Sequence, residues 1–242
     1  QNLQGNRASE QQTRYLGEQQ EMALESVLRL NSVSVLDACA QAILGASKVG
    51  FMGLGVSFAC AFQMHYAYQL IRGNGVLLNR AVDLFLELEA GLDSGGVLLV
   101  ISQTPYVKAV VNSVQQAVQR GITVVAITDS VLSPVAQGAE HVLLFDAQTS
   151  EQPAASFFHS LVGTVTVAEH LLARIATLGG KTVVQRLARA VQQALQEPGA
   201  THSAGQDGEA LDRRGLPCLL VCRFHGVQLC TVRQRGGAAG CV

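Results

Sequence analysis

Val97-Leu98-Leu99-Val100-Ile101-Ser102-Gln103-Thr104-Pro105-Tyr106-Val107-Lys108 is the stretch whose reading decides the fold. Five apolar residues in unbroken succession mark a strand buried on both faces, and such strands belong to parallel sheets covered by helices on each side. The run ends in a hydroxyl and a turn. Thr104 is placed to cap the next helix, and Pro105 to take its first position, where a missing N–H is no loss. That helix is expected to end at Arg120-Gly121, and residues 122–127 then form a second strand rich in β-branched residues.

The same alternation extends in both directions. Upstream, residues 49–52 read as a strand running into Gly53-Leu54-Gly55-Val56-Ser57, then a helix to Arg72 closed by Gly73. Residues 76–78 are a weaker strand, and 82–92 a helix. Downstream, Thr128-Asp129-Ser130 is a turn, Ser133-Pro134 opens a short helix to about Gln137, and 141–145 is a further strand candidate. After a loop over 146–153 come helices over 154–178 and 181–196. Strand–helix alternation with apolar strands predicts an α/β fold, a doubly wound parallel sheet with helices on both faces, over residues 34–196. Residues 1–33 read as a polar leader to about Arg14 and a linker helix over 15–30. Ser34-Val35-Leu36-Asp37 has the form of a capping box that opens a helix ending near Gly45. Residues 197–242 lose helical periodicity and form an irregular tail rich in Gly, Arg and Cys.

Composition narrows the function classes. Of 242 residues, 48% are hydrophobic and 14% charged, with net charge −1, which excludes a disordered polyelectrolyte and argues against a broad phosphate-binding face for nucleic acid. No apolar run approaches the roughly 20 residues of a membrane-spanning helix, and no signal peptide is visible. The chain starts at Gln1 rather than Met, so natural sequence is expected ahead of it. Cys39 and Cys60 read as small buried residues of helices, and Cys218, Cys222, Cys230 and Cys241 crowd the tail, unlike a secreted disulfide framework. A cytoplasmic location follows as the expectation. Cys218, Cys222, His225 and Cys230 are ligand types that suit zinc, but their spacing fits no metal pattern, so no metal and no cofactor are expected.

In an open parallel sheet, ligands bind where strands hand over to helices. Two turns carry suitable groups there. In the first, Gly53 and Gly55 let the backbone approach an anion and Ser57 stands at the helix start. The spacing is neither the dinucleotide fingerprint nor a P-loop, and glycines in such a turn also serve strand-to-helix geometry alone. In the second, Ser102, Thr104, Tyr106 and Lys108 surround one helix start. Thr104 has a structural reason as a cap and Lys108 as a solvated surface residue. Ser102 has less structural reason to end a buried strand.

Taken in order, Gly53-x-Gly55-x-Ser57, Ile101-Ser102-x-Thr104, Gly121-Ile122-Thr123-Val124-Val125-Ala126-Ile127-Thr128-Asp129 and Ser133-Pro134 resemble the sugar isomerase (SIS) domain. With Pro105-Tyr106 and Ser156-Phe157-Phe158-x-Ser160, the likeness narrows to RpiR-type transcriptional regulators. The resemblance implies a domain that binds a phosphosugar or related metabolite, a homodimer, and DNA contacted only through a separate N-terminal helix-turn-helix domain that this chain lacks. No membrane partner is expected. It also exposes a departure. Where the family's phosphate loop carries Gly and a final Thr, this chain has Pro105 and Val107, losing a backbone donor and a hydroxyl. Catalysis by a phosphosugar isomerase is the rival reading, with Glu151, His159, Glu169 and His170 as candidate acids and bases. His159 and Glu169 lie roughly three helical turns apart and cannot meet over one carbon, so Glu151 is the better base and no catalytic residue is assigned. A purely structural dimerisation module is the third reading.

Overall fold

The computed structural model describes residues 2–78, 92–147 and 160–196. The chain divides into two units, residues 1–178 and 179–242. In the first, α1 (Asn2–Leu30) and α2 (Val33–Gly45) lead into β1 (Val49–Gly53), α3 (Ser57–Ile71), β2 (Gly75–Leu78) and β3 (Val97–Ser102). Then follow α4 (Lys108–Gln119), β4 (Thr123–Thr128), β5 (His141–Leu144) and α5 (Val162–Leu178). The second unit is described through one helix, α6 (Gly180–Gln196).

The five strands form one parallel sheet in the order β2-β1-β3-β4-β5. Strands β1 and β3 are buried at every position, as continuous apolar runs demand. Alternate residues serve opposite faces. Met52, Leu98, Val100, Val124 and Ala126 pack with Val110, Val114 and Ala117 of α4. On the other face Phe51 lies against Tyr68 of α3, ring centroids 5.2 Å apart, and α5 packs against both α2 and α3. The expected doubly wound α/β architecture is therefore the observed one. Among the described residues no single helix is long and apolar enough to cross a membrane.

Several boundaries differ from the sequence reading. Helix α1 runs back to Asn2 through the stretch read as a polar leader. Gln, Glu, Arg and Ala are good helix formers, and extending an existing helix costs far less than starting one. The cap of α2 is Ser32, whose hydroxyl accepts the Val35 N–H at 3.4 Å, rather than Ser34. Asp37, read as part of that cap, instead pairs with Arg174 of α5 at 2.5 Å. Helix α3 ends on extended Arg72, not on Gly73, and Arg72 Nη1 donates to the Leu44 carbonyl at the end of α2. Residues 133–137 make a single turn, with the Ser133 hydroxyl accepting the Ala136 N–H at 3.1 Å, in place of a short helix. Helix α5 opens at Val162, where the Ser160 hydroxyl accepts the Val162 N–H, rather than running through from 154. The expected helix over 82–92 falls almost wholly outside the described residues, and the tail over 197–242 entirely so.

The outer strand β5 meets a side chain that imitates a strand. Buried Asn31 donates through Nδ2 to the Leu144 carbonyl at 2.7 Å, and its Oδ1 accepts the Leu144 N–H at 2.8 Å. Nearby, the Ser26 hydroxyl accepts the Asp146 N–H at 3.1 Å. An otherwise open edge is thereby closed by the end of α1.

Asn31→Ala strips partners from both Leu144 backbone groups and is expected to destabilise the protein by about 2 kcal/mol, read as a lower urea midpoint with an unchanged slope. Asn31→Asp, which sets a buried carboxylate oxygen against the Val27 and Leu144 carbonyls, should destabilise at least as much. A second expectation concerns Gly53, where an added Cβ would sit 2.6 Å from the Ser57 carbonyl oxygen. Gly53→Ala should cost about 1–3 kcal/mol through overpacking, and Gly55→Ala about 1–2 kcal/mol through a left-handed backbone, both measurable by chemical denaturation.

Candidate functional site

The strand order reverses between β1 and β3, since the chain steps outward from β1 to β2 and then crosses back. Neighbouring strands whose connections leave in opposite directions open a crevice at their carboxyl ends. Gly53 pairs in register with Ile101, so the turn after β1 and the turn after β3 stand side by side. Both candidate turns are brought to this one place.

The first turn is shaped by contact. Gly53 lets the first turn of α3 close against β1, and Gly55 takes φ +60, a conformation glycine adopts without penalty. Ser57 is the first residue of α3 and is 4% exposed. Ser102, the last residue of β3, is likewise 4% exposed. Neither hydroxyl has a hydrogen-bond partner among the described residues. Beside them Gln103 is buried, and its Oε1 also lacks a partner. Buried polar groups are normally satisfied; Gln103 Oε1 is an exception here, as Arg120 Nη1 and Thr164 Oγ1 are elsewhere in the domain, while the two serine hydroxyls are free to take a partner from outside the chain.

The second turn departs from expectation. Thr104 is exposed and does not cap a helix; α4 begins only at Lys108, with Val107 at the cap position and no side-chain cap. The reason lies on β4. Asp129, just past the end of that strand, accepts the Thr104 N–H on Oδ2 at 3.1 Å and the Tyr106 hydroxyl on Oδ1 at 2.8 Å. These bonds hold residues 103–107 as a loop instead of a first helical turn; the Thr104–Pro105 peptide is cis. Thr128 Oγ1 lies 3.2 Å from Asp129 Oδ1 and 3.1 Å from Ser133 Oγ, extending the network inward. Burial, and then the neighbouring carboxylate, push the Tyr106 phenol above its ordinary range, so it stays a donor. Lys108 is exposed on the first turn of α4.

Sequence reasoning named Asp129 only as part of a turn and passed over Gln103. The available signal was an acidic residue directly after a buried parallel strand, at the end where ligands bind. Of the rival acids and bases, Glu151 and His159 lie outside the described residues. Glu169 is exposed on α5 and His170 beside it is half-buried. Burial, with the Glu169 carboxylate adding to it, pushes the Cys60 thiol up to about 12, and burial does the same for Cys39. Both remain neutral thiols without nucleophilic character. Among the described residues no group of three or more His, Cys, Asp or Glu side chains is placed to hold a metal ion, and the cysteines of the tail lie outside them.

Comparison with known proteins bears on the fold and the family. The chain is 25% identical over 167 residues to an uncharacterized HTH-type transcriptional regulator of Caldanaerobacter subterraneus subsp. tengcongensis, covering 68% of this chain and 58% of that protein. It thus spans less than two thirds of that relative's length. Among solved structures it is similar to the sugar isomerase domain of an RpiR transcription factor from Sphaerobacter thermophilus. There the TM-score is 0.67 at 24% identity, over 75% of this chain and 98% of the other. It also resembles Vibrio vulnificus NanR complexed with ManNAc-6P, with TM-score 0.66 at 16% identity over 74% of this chain and 67% of that one. At those identities the likeness is one of fold. The family match is broader in kind: residues 42–174 match the SIS domain, more than half of the chain, and the chain belongs to the SIS domain family.

Proposed function

We propose that this chain is the ligand-sensing SIS domain of an RpiR-type transcriptional regulator, and that it takes a phosphosugar or related carbohydrate derivative between the turns that leave β1 and β3. The observation that carries the reading is the pair of nearly buried serines, Ser57 and Ser102, whose hydroxyls have no partner among the described residues and which stand after β1 and at the end of β3, the two strands that flank the reversal of strand order. A polyhydroxylated ligand offers both donors and acceptors, so it can satisfy each hydroxyl in turn. Gly53 and Gly55 shape the cradle, Thr104 and Tyr106 belong to the opposing loop, and Lys108 stands at its rim. ManNAc-6P is bound by the Vibrio vulnificus relative, which supports a carbohydrate as the ligand class.

Sensing needs no acid or base. It needs only a ligand that binds one arrangement of the chain better than another. In this reading the domain forms a homodimer in the cytoplasm and reaches DNA through a helix-turn-helix domain of the kind named in its curated relative. The 34–196 segment is the sensing unit.

A thermal-shift screen of sugars, amino sugars and their phosphates is expected to find a stabilising ligand, because binding to the native state alone raises the melting temperature. Ser102→Ala should weaken that ligand by about 1 kcal/mol, roughly fivefold, in a calorimetric titration. An unchanged affinity in Ser102→Ala removes the serine from the site. Incubation with ketose and aldose phosphates should give no interconversion, and turnover that collapses in Glu151→Gln would replace the sensor with an isomerase.

A further inference from the structure

An anion-binding loop works by leaving backbone N–H groups unoccupied at a helix start. The loop over 103–107 holds an anion of its own. The Thr104 N–H already donates to Asp129 Oδ2 at 3.1 Å, Pro105 has no N–H to offer, and the Tyr106 hydroxyl is turned onto Asp129 Oδ1 at 2.8 Å. Val107, at the cap position, contributes no hydroxyl. What remains toward a ligand is the Tyr106 and Val107 amides and the solvated Lys108, set against a half-buried carboxylate held in place by three donors, with Thr128 as the third.

We infer that Asp129 sets the charge specificity of the site: the loop selects a sugar whose near end carries hydroxyl or ammonium donors and rejects a phosphate dianion. The inference rests on the sensor reading above and deepens it. Oδ2 accepts one backbone N–H and keeps lone-pair capacity for a second donor. A sugar hydroxyl or ammonium group uses that capacity. A phosphate that sought the Thr104 N–H would have to displace the carboxylate or lie against it, and apposed like charges in a partly buried site are costly. Lys108 does not reverse the balance, because an exposed ammonium is screened while the carboxylate is fixed by its donors.

The test uses the full chain and titrates five probes: ManNAc, ManNAc-6P, glucosamine, glucosamine 6-phosphate and inorganic phosphate. Wild-type protein is expected to bind the unphosphorylated member of each pair more tightly. Asp129→Asn keeps the side-chain shape and an acceptor for the loop, and should move the phosphorylated-to-neutral affinity ratio by about tenfold or more toward phosphate. Tyr106→Phe removes one tether but keeps the charge, and its ratio should stay on the wild-type side. Should Asp129→Asn fail to fold, salt dependence of the wild type decides: screening of a repulsion strengthens phosphate binding relative to the neutral sugar as salt rises, and the opposite slope overturns the inference. Preference of the wild type for the phosphorylated sugars, or a shift in Tyr106→Phe equal to that in Asp129→Asn, also overturns it. Gain of inorganic phosphate binding in Asp129→Asn without any sugar binding sustains the role of Asp129 and removes the sensor reading. Failure of every probe on every protein overturns both.

Discussion

Strand β3 has no polar side chain before Ser102, and every one of its residues is at most 4% exposed. A strand of that kind must be sealed on two faces and along two edges at once. Its backbone finds partners in β1 and β4, and its side chains find α4 on one face and the α2, α3 and α5 layer on the other. Parallel neighbours follow, because the helices that cover the faces are the connections between strands. Once β1 and β3 are adjacent and their connections diverge, the crevice opens at their carboxyl ends. Burying β3 thus confines a candidate site to the ends of the strands, and its chemistry is left to a few turn residues.

That division explains what was legible in the sequence. Strand β3 shows as an unbroken apolar run, and β1 and β4 as nearly so, with Gly50 inside one and Thr123 opening the other, because two-sided burial leaves no alternation to mislead. The Gly53 and Ser102 turns were readable for the same reason, each standing where such a run ends. The start of α4 was not readable. Local pattern assigns Thr104 and Pro105 to a helix N-terminus, and nothing within reach of a helical turn contradicts it. What holds the loop is Asp129, just past β4, which accepts the Thr104 N–H and the Tyr106 hydroxyl. A tether from so far along the chain is invisible in a sequence window. Asp37 is the converse case: its spacing from Ser34 suggests a capping box, but its carboxylate goes to Arg174, far along the chain.

The N-terminal helix shows a third kind of misreading. Residues 2–14 lack an apolar face and so give no periodic signal, yet they continue a helix nucleated by the part that packs. Toward its carboxyl end α1 buries Ala23, Ser26 and Val27, and Asn31 just past it is buried too. Asn31 appears in sequence as an ordinary helix terminator. Its role as a substitute strand, pairing with Leu144, depends on the unsatisfied edge of β5, which only the assembled sheet creates.

These contacts place α1 close, in bonding terms, to the candidate site. Asp129 follows Thr128, Thr128 pairs in register with Leu144, and Leu144 is held by Asn31 of α1. One strand therefore separates the loop network from the end of α1. Proximity of this kind is not coupling, which is a free energy between two sites and is reciprocal. Two routes lead from the candidate site to α1: through the ends of β4 and β5, and through α3 and α5, since α5 packs against both α3 and α1. Because Asn31 bonds both the N–H and the C=O of Leu144, α1 is bound to follow β5 rather than slide along it.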